Sequence, residues 1–290
     1  MSDVDDDPFP PQQADLSKPS VARVYDYYLG GDANWAIDRA FGESVLEKYP
    51  LLRPIAINNR LFLHRAVRRL VSQGVHQFID IGSGVPTMGN THSVADEVEP
   101  GSRVVYVDHE PVAVAHSQVL LETDGDTDRH AVINADFRNP DKLWQRAIET
   151  GVLDLEEPIA VLLIAVLHVQ QLGPEGTDIS PQVMARYREL LPPGSFLAIS
   201  QVTDDGVLPE MDAKLVGIKE MYDRSTSPVI WRSQEEIRSF FGDFEMLAPG
   251  MTWTSEWHPE DRSPNYTPDL DLAAPEEAAI WAGVGRKPLR

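Results

Sequence analysis

The clearest chemistry in the sequence comes from two features that each follow an apolar run. One is a loop containing two glycines, and the other is a single acid. Residues 78–81 lead into Gly82, Ser83 and Gly84, and Asp108 ends the next apolar run. Glycines in such a loop let the backbone approach a ligand closely, and an acid at the end of the following strand can bind the hydroxyl pair of a ribose. The combination predicts a pocket for a nucleoside cofactor.

The loop also indicates which nucleoside cofactor to expect. A dinucleotide-binding loop has a third glycine, but that position is Thr87 here, and Pro86 stiffens the loop. The absence of a third glycine disfavours a pyrophosphate at the helix N-terminus. A cofactor without phosphates, such as S-adenosylmethionine, fits better, and Asp80 can face its ammonium group. Two glycines after a strand are also compatible with an ordinary tight turn.

Two more strand ends carry polar or aromatic residues. Asp136 can accept a hydrogen bond from an adenine amino group, with the ring or backbone of Phe137 beside it; the alternative is a loop acid next to a buried ring. Val166 lies near the end of the predicted fourth strand and His168 ends it, where doubly wound folds place groups near the reacting centre. A neutral His168 can act as a general base, or backbone groups can simply satisfy its nitrogens.

Further histidines, His92 and His109, lie near the same loops, and we expect both to contact the cofactor. No pair of metal ligands has a helical spacing such as His-Glu-x-x-His, so we predict no metal site.

The N-terminal part predicts a helical lid. Tyr25 belongs to an aromatic helix that ends in a double glycine with Gly31, and Asn34 follows; such a segment can fold over a cofactor. Arg60 can bind a methionyl carboxylate bidentately. The alternatives are aromatic residues that belong to the core and an arginine in a surface salt bridge.

The hydrophobic pattern positions these residues on alternating strands and helices, which indicates a mostly parallel sheet covered on both faces. We divide the chain into a disordered acidic tail (1–16), a helical lid (17–74) and a Rossmann-like domain (75–290). A capping box at Ser233 opens a late helix. The predicted strands are 77–81, 103–107, 131–135, 159–167 and 196–201, followed by two terminal strands at 245–247 and 281–284.

Composition limits the possible partners. The 290-residue chain has a formal net charge of −21 and no cysteine. A surface this negative repels nucleic acid and anionic lipid, so we predict neither as a partner. The longest apolar run, residues 159–167, is too short for a bilayer span, which needs about 20 residues. The first residues lack the pattern of a secretory signal, and we predict a cytoplasmic protein of undetermined oligomeric state.

Several of these segments occur together, and in order, in one known family. The chain resembles a family of class I S-adenosylmethionine-dependent methyltransferases without an assigned substrate, from about residue 19 to residue 285. The segments that carry the resemblance are 22–35, with Tyr-Asp-Tyr-Tyr-Leu-Gly-Gly inside it, 59–68, 77–87, with Asp-Ile-Gly-Ser-Gly-Val-Pro-Thr inside it, 105–108, Asp136 and 166–168.

The resemblance implies a seven-stranded sheet with a reversed last strand and S-adenosylmethionine over the strand ends. It departs at two places: relatives tend to have Lys-Asp where this chain has Asp32-Ala33, and His where it has Gln201. Our hypothesis is O- or N-methylation of a small molecule. Alternatives are a non-catalytic protein that binds S-adenosylmethionine, and an NAD-dependent oxidoreductase, which the missing third glycine disfavours.

Overall fold

The computed structural model describes residues 17–85, 88–223, 228–266 and 272–289. Three helices precede the first strand, and strands then alternate with helices. The helices are α1 Val21–Tyr28, α2 Ala36–Lys48, α3 Leu52–Ser72, α4 Thr91–Asp96, α5 Pro111–Asp124, α6 Pro140–Glu149, α7 Ser180–Leu190, α8 Pro209–Tyr222 and α9 Gln234–Ser239. The strands are β1 Gln77–Ile81, β2 Arg103–Asp108, β3 His130–Asn134, β4 Ala160–Ile164, β5 Phe196–Val202, β6 Glu245–Met246, β7 Thr252–Trp253 and β8 Ile280–Arg286.

One mixed sheet organises the fold. Its strand order is β3-β2-β1-β4-β5-β8-β6, and β7 also pairs with β8. Strands β1 to β5 run parallel, whereas β8 is antiparallel to β5. The chain order reverses between β1 and β4, and ligands bind at such a switch point in open α/β sheets. The predicted Rossmann-like α/β class with a reversed strand is therefore confirmed.

The number of strands differs from the predicted seven, because the described residues contain an eighth, β7. This strand has only two residues, Thr252 and Trp253, so it shows no hydrophobic periodicity in the sequence. It is held by pairing with β8 and by stacking of Trp253 on Trp281, with 3.8 Å between ring centroids. Only tertiary contacts mark it as a strand.

The helices before β1 pack in two places. One face of α3, including Phe62, Ala66 and Leu70, is buried against the sheet in a common apolar core. Helix α1 instead packs with α8 through Tyr28 and Tyr222. The division of the chain at residue 74 remains a prediction, and the predicted tail (1–16) lies outside the described residues. No described helix combines the length and apolar character needed to cross a membrane.

Strand β4 ends earlier than its apolar run predicts. Ala165 has a positive φ of 65° and its amide donates to Ser200 Oγ at 3.0 Å, so the chain leaves the sheet there. Positive φ is unfavourable for a residue with a Cβ and is common where the backbone is shaped for function. As a result, Val166 and His168 lie in a loop beyond the strand rather than in it.

Candidate functional site

A cavity of about 480 Å³ opens at the carboxyl ends of the central strands. Loops after β1, β2, β3 and β4 form one side of it, and α1, α3 and α8 form the other. Most residues that the sequence singled out line this cavity, namely Tyr25, Arg60, Asp80, Gly82, Ser83, Gly84, Asp108, His109, Asp136, Phe137, Val166 and His168.

The glycine loop is shaped for close approach. Gly82 and Gly84 have φ values of 65° and 63°, a region that favours glycine. The amides of Gly82 and Ser83 both donate to the Val107 carbonyl, which ties the loop to β2. A Cβ on Gly82 would lie 2.6 Å from Val166 Cγ2, so the absence of a side chain there is required by packing as well as by φ.

Asp108 holds the same loop from β2. One carboxylate oxygen accepts the Gly84 amide at 2.9 Å, and the other accepts the Glu110 amide at 2.9 Å. Each carboxylate oxygen can accept a second hydrogen bond. The side chain therefore organises the loop and still has acceptor capacity toward the cavity.

Asp80 is buried and accepts a hydrogen bond from Thr91 Oγ1 at 2.6 Å. Burial raises the pKa of Asp80, while the Arg60 charge and the Thr91 hydrogen bond oppose that rise. The Arg60 guanidinium donates through Nε to the Met88 carbonyl at 3.0 Å and through Nη2 to the Gly89 carbonyl. Arg60 is buried and thus anchors the end of the glycine loop; no described residue forms the alternative surface salt bridge with it.

Asp136 and Phe137 both line the cavity, and the predicted choice between the ring and the backbone of Phe137 goes to the backbone. The Phe137 ring stacks on Tyr187 in the core, with 5.3 Å between centroids. It points away because the apolar core offers it more buried contact, so the backbone of Phe137 is what the cavity can use. Asp136 forms an ion pair with Arg138 at 2.6 Å.

Of the three residues predicted to act in a helical lid, one lines the cavity and two do not. Tyr25 lines the cavity, and its hydroxyl donates to the Ala56 carbonyl and accepts from Asn59. Gly31 and Asn34 do not line it. Asn34 Nδ2 donates to Asp26 and to the Gly31 carbonyl, at 2.7 and 2.8 Å, so both residues close the turn after α1 instead.

A buried ion-pair cluster, missed from the sequence, attaches α1 above the loop. Arg23 is 1% exposed and lies 2.7 Å from Asp38 and 2.6 Å from Glu110. Ser20 Oγ also donates to Glu110, directly after the Asp108 strand end. Burial raises the pKa of Glu110, and Ser20 and Arg23 oppose that rise. Charged residues with such separations in sequence give no local signal of their contact.

His92 lies away from the cavity, contrary to the prediction. Its Nδ1 is 2.7 Å from the Tyr106 hydroxyl, and its ring packs on His130 at 4.4 Å between centroids. Helix α4 packs on the face of the sheet that carries Tyr106, and the Tyr106 hydroxyl holds the buried His92 side chain there. Thr87 lies outside the described residues, and its role stays a prediction.

His168 lies at the cavity in a defined tautomer. The Val202 amide donates to its Nδ1 at 3.2 Å, so a neutral ring carries its proton on Nε2. Burial, with the nearby Arg232 charge, lowers the pKa of His168 to about 3. The expected general base is therefore not supported: the available nitrogen is a hydrogen-bond donor.

The other half of the cavity is aromatic and aliphatic, and sequence reasoning missed it. We call it the aromatic wall, and its α8 and loop residues gave no signal beyond core-like hydrophobicity. It comprises Tyr28, Ala56, Ile218, Tyr222, Val229 and Trp231.

Among the described residues, one trio could offer ligand atoms to a metal: His258, Glu260 and Asp261. His258 already directs Nε2 at the Ala248 carbonyl and Nδ1 at Glu260. The trio is not among the residues that line the cavity.

The buried His64, which lies against the end of the glycine loop, should make the protein less stable in acid. Burial lowers its pKa from 6.5 to about 3, with the Arg60 charge adding to the effect. The pKa of His64 is lower in the folded state than in the unfolded state. Its contribution to the free energy of unfolding is therefore complete above pH 6.5 and declines as the pH falls toward 3. At pH 5 the loss amounts to about 2 kcal/mol.

We expect His64→Gln to flatten the pH dependence of the unfolding free energy between pH 7 and pH 5 by that amount, as measured by urea unfolding. Ser72→Ala, at the exposed end of α3, is the control. Parallel curves for His64→Gln and wild type would contradict the assignment.

The sheet order, the glycine loop and the acids at the ends of the first three strands define a nucleoside-cofactor-binding α/β protein. Residues 8–288 match a family described as S-adenosyl methyltransferase. The chain belongs to this family and is an S-adenosylmethionine-dependent methyltransferase, as the resemblance predicted.

Two solved structures are similar over almost their whole length. A proposed methyltransferase from Thermobifida fusca YX is 37% identical, with a TM-score of 0.78, over 94% of this chain and 97% of that one. A DUF574 family protein from Streptomyces avermitilis is 32% identical, with a TM-score of 0.79, over 93% and 98%. No curated protein matches the chain significantly.

The two departures from the family pattern lie off the cavity. Asp32 is exposed, and neither it nor Ala33 is among the lining residues. Gln201 is buried; its Nε2 donates to the Val202 and Ile230 carbonyls, and its Oε1 accepts from Arg232. Gln201 therefore connects β5 to the segment that carries Trp231, rather than contacting a ligand.

Proposed function

We propose that S-adenosylmethionine binds across the ends of β1, β2 and β3, and that the methyl acceptor is a small molecule held against the aromatic wall. The observation that carries this proposal is the convergence of the Gly82–Gly84 loop with Asp80 and Asp108 at one cavity. When bound, the cofactor supplies an electrophilic methyl group on a sulfonium.

The residues present fit such a cofactor. The glycine loop lines the cavity without a side chain at Gly82 or Gly84, and Asp108 retains acceptor capacity for ribose hydroxyls. Asp80 suits an ammonium group, and the Arg60 Nη1 suits a carboxylate. Asp136, the Phe137 backbone and His109 suit the adenosine end. In this proposal Gly31, Asn34 and His92 act only by positioning neighbouring segments.

In this proposal the protein accelerates transfer mainly by positioning the acceptor atom and excluding water from the cavity, and less by proton transfer. Holding the acceptor atom in line with the methyl group can supply a large part of the rate enhancement without a base. Helix α1, attached through Arg23 and Glu110, covers the loop and limits access of water to the cavity.

Calorimetric titration tests the cofactor assignment. We expect one S-adenosylmethionine to bind per chain and NAD not to bind. Tight binding of NAD without binding of S-adenosylmethionine would overturn the assignment.

A second assay tests the acceptor class. The protein is incubated with cell extract and cofactor labelled in its methyl group, and the label is followed by size. We expect it in the low-molecular-weight fraction, since a cavity of about 480 Å³ suits a small molecule and a net charge of −21 disfavours nucleic acid. Label in nucleic acid or protein would contradict a small-molecule acceptor. The cytoplasmic location predicted from the sequence remains part of the proposal.

A further inference from the structure

The aromatic wall contains no charged residue, and unpaired polar atoms lie on Trp231 within it and on other residues that line the same cavity. The hydroxyls of Tyr28 and Tyr222 bond to each other at 2.9 Å and so satisfy one another. In contrast, His168 Nε2, Trp231 Nε1 and Asn59 Oδ1 are buried on cavity-lining residues and have no hydrogen-bond partner among the described residues. Buried polar atoms are rarely left unpaired without cost, so these atoms point to a ligand.

Two of the three atoms are N–H donors. An indole Nε1 can only donate, and His168 carries its proton on Nε2 because its Nδ1 accepts the Val202 amide. The two donors belong to adjoining segments, since the Ile230 amide donates to the His168 carbonyl at 2.8 Å, one residue before Trp231. Arg232 keeps that segment in place by donating to the Leu167 carbonyl at 2.7 Å.

Donors of this kind discriminate between oxygen and nitrogen as the methylated atom. An amine nitrogen has one lone pair, and accepting a hydrogen bond would occupy the pair that must attack. A deprotonated hydroxyl oxygen has three lone pairs, so it can accept from both N–H groups and still attack the methyl carbon. Hydrogen bonds from N–H donors to an anionic oxygen are also stronger than those to a neutral atom.

We propose that the acceptor is a planar, largely apolar molecule with a phenol-type hydroxyl, which His168 Nε2–H and Trp231 Nε1–H hold as its oxyanion. This inference rests on the proposed function. The hydroxyl proton leaves to water before transfer. An oxygen lone pair then forms the bond to the methyl carbon, the carbon–sulfur bond breaks, and its electron pair stays on sulfur as a neutral thioether. Asn59 Oδ1 accepts an N–H or O–H elsewhere on the acceptor.

Matched probes test the inference. They are 4-nitrophenol and 4-nitro-1-naphthol, with 4-nitroaniline and 4-nitro-1-naphthylamine as their nitrogen counterparts, each titrated with S-adenosylhomocysteine present. Phenolate absorbance reports the ionisation of the bound phenol. We expect at least one phenol to bind more tightly than its amine and to ionise at a lower pH than it does in water. Tighter binding of both amines, or no binding of any probe, would overturn the proposal.

Variants of Trp231 and His168 test whether these residues act as hydrogen-bond donors or whether His168 acts as a general base. Trp231→Phe removes one N–H, and we expect it to weaken phenolate binding about tenfold or more. His168→Gln keeps an N–H donor without a basic ring, so most of the binding and of the methylation of the bound phenol should persist, whereas His168→Phe should lose both. Loss of methylation in His168→Gln with phenolate binding intact would instead identify a base. Trp253→Phe, away from the cavity, is the control.

The cofactor measurement distinguishes this inference from the proposed function. If S-adenosylmethionine binds and amines are methylated in preference to phenols, the oxygen assignment is wrong while the function stands. If S-adenosylmethionine does not bind to the wild-type protein, the function itself is wrong.

Discussion

Replacing Asp108 with alanine should lower the affinity for S-adenosylmethionine by roughly 100-fold or more, since it would remove two hydrogen bonds from the ribose to a charged group, each contributing about 1.5–3 kcal/mol. The carboxylate accepts the Gly84 and Glu110 amides and retains lone pairs for a ribose. The alanine variant therefore loses both the ligand contact and the link that orders the loop. Calorimetric titration measures the change.

Two companion variants make the result interpretable. Asp108→Asn keeps one carbonyl acceptor, so its loss of affinity should be about tenfold. Glu122→Ala, at an exposed position of α5, should bind as the wild type does. Thermal unfolding confirms that each variant is folded. Wild-type affinity in a folded Asp108→Ala protein would remove Asp108 from the site.

Gly82→Ala combines two penalties and should destabilise the protein by roughly 2–5 kcal/mol. The positive φ of 65° disfavours any residue with a Cβ. The new Cβ would also lie 2.6 Å from Val166 Cγ2, a β-branched side chain with little freedom to move. We expect cofactor affinity to fall as well, because relief of the clash moves either the loop or Val166. Urea unfolding and calorimetric titration measure the two effects.

Two further variants separate the backbone penalty from the clash with Val166: a substitution at Gly74 and the addition of Val166→Ala. Gly74 has a φ of 84°, but a Cβ there would meet nothing within 4 Å, so Gly74→Ala reports the backbone penalty alone. Adding Val166→Ala to Gly82→Ala should recover the part due to the clash, as judged against Val166→Ala by itself. Equal losses for Gly82→Ala and Gly74→Ala would show that Val166 does not constrain the loop.

Most of the predicted site residues that line the cavity share one property. Gly82, Asp108 and Asp136 follow apolar runs, and the carboxyl ends of parallel strands meet at one edge of a sheet. Their position in space therefore follows from their position on a strand. His92 and Asn34 were misplaced because a side chain on or beside a helix can face either of two directions, and packing decides which.

Local pattern thus specified the alternation of strands and helices and the kind of cofactor loop, since each depends on residues that are neighbours in the chain. The reversed last strand was implied by the family resemblance, because its direction depends on pairing between β5 and β8, which are distant in sequence. Long-range contacts specified the rest. The Val202 amide sets the His168 tautomer from 34 residues away, and Arg23 reaches Glu110 across 87. The aromatic wall joins Tyr28 to Tyr222 across 194 residues. No local window contains such pairs, so the chemistry offered to the acceptor emerges only when the chain is folded.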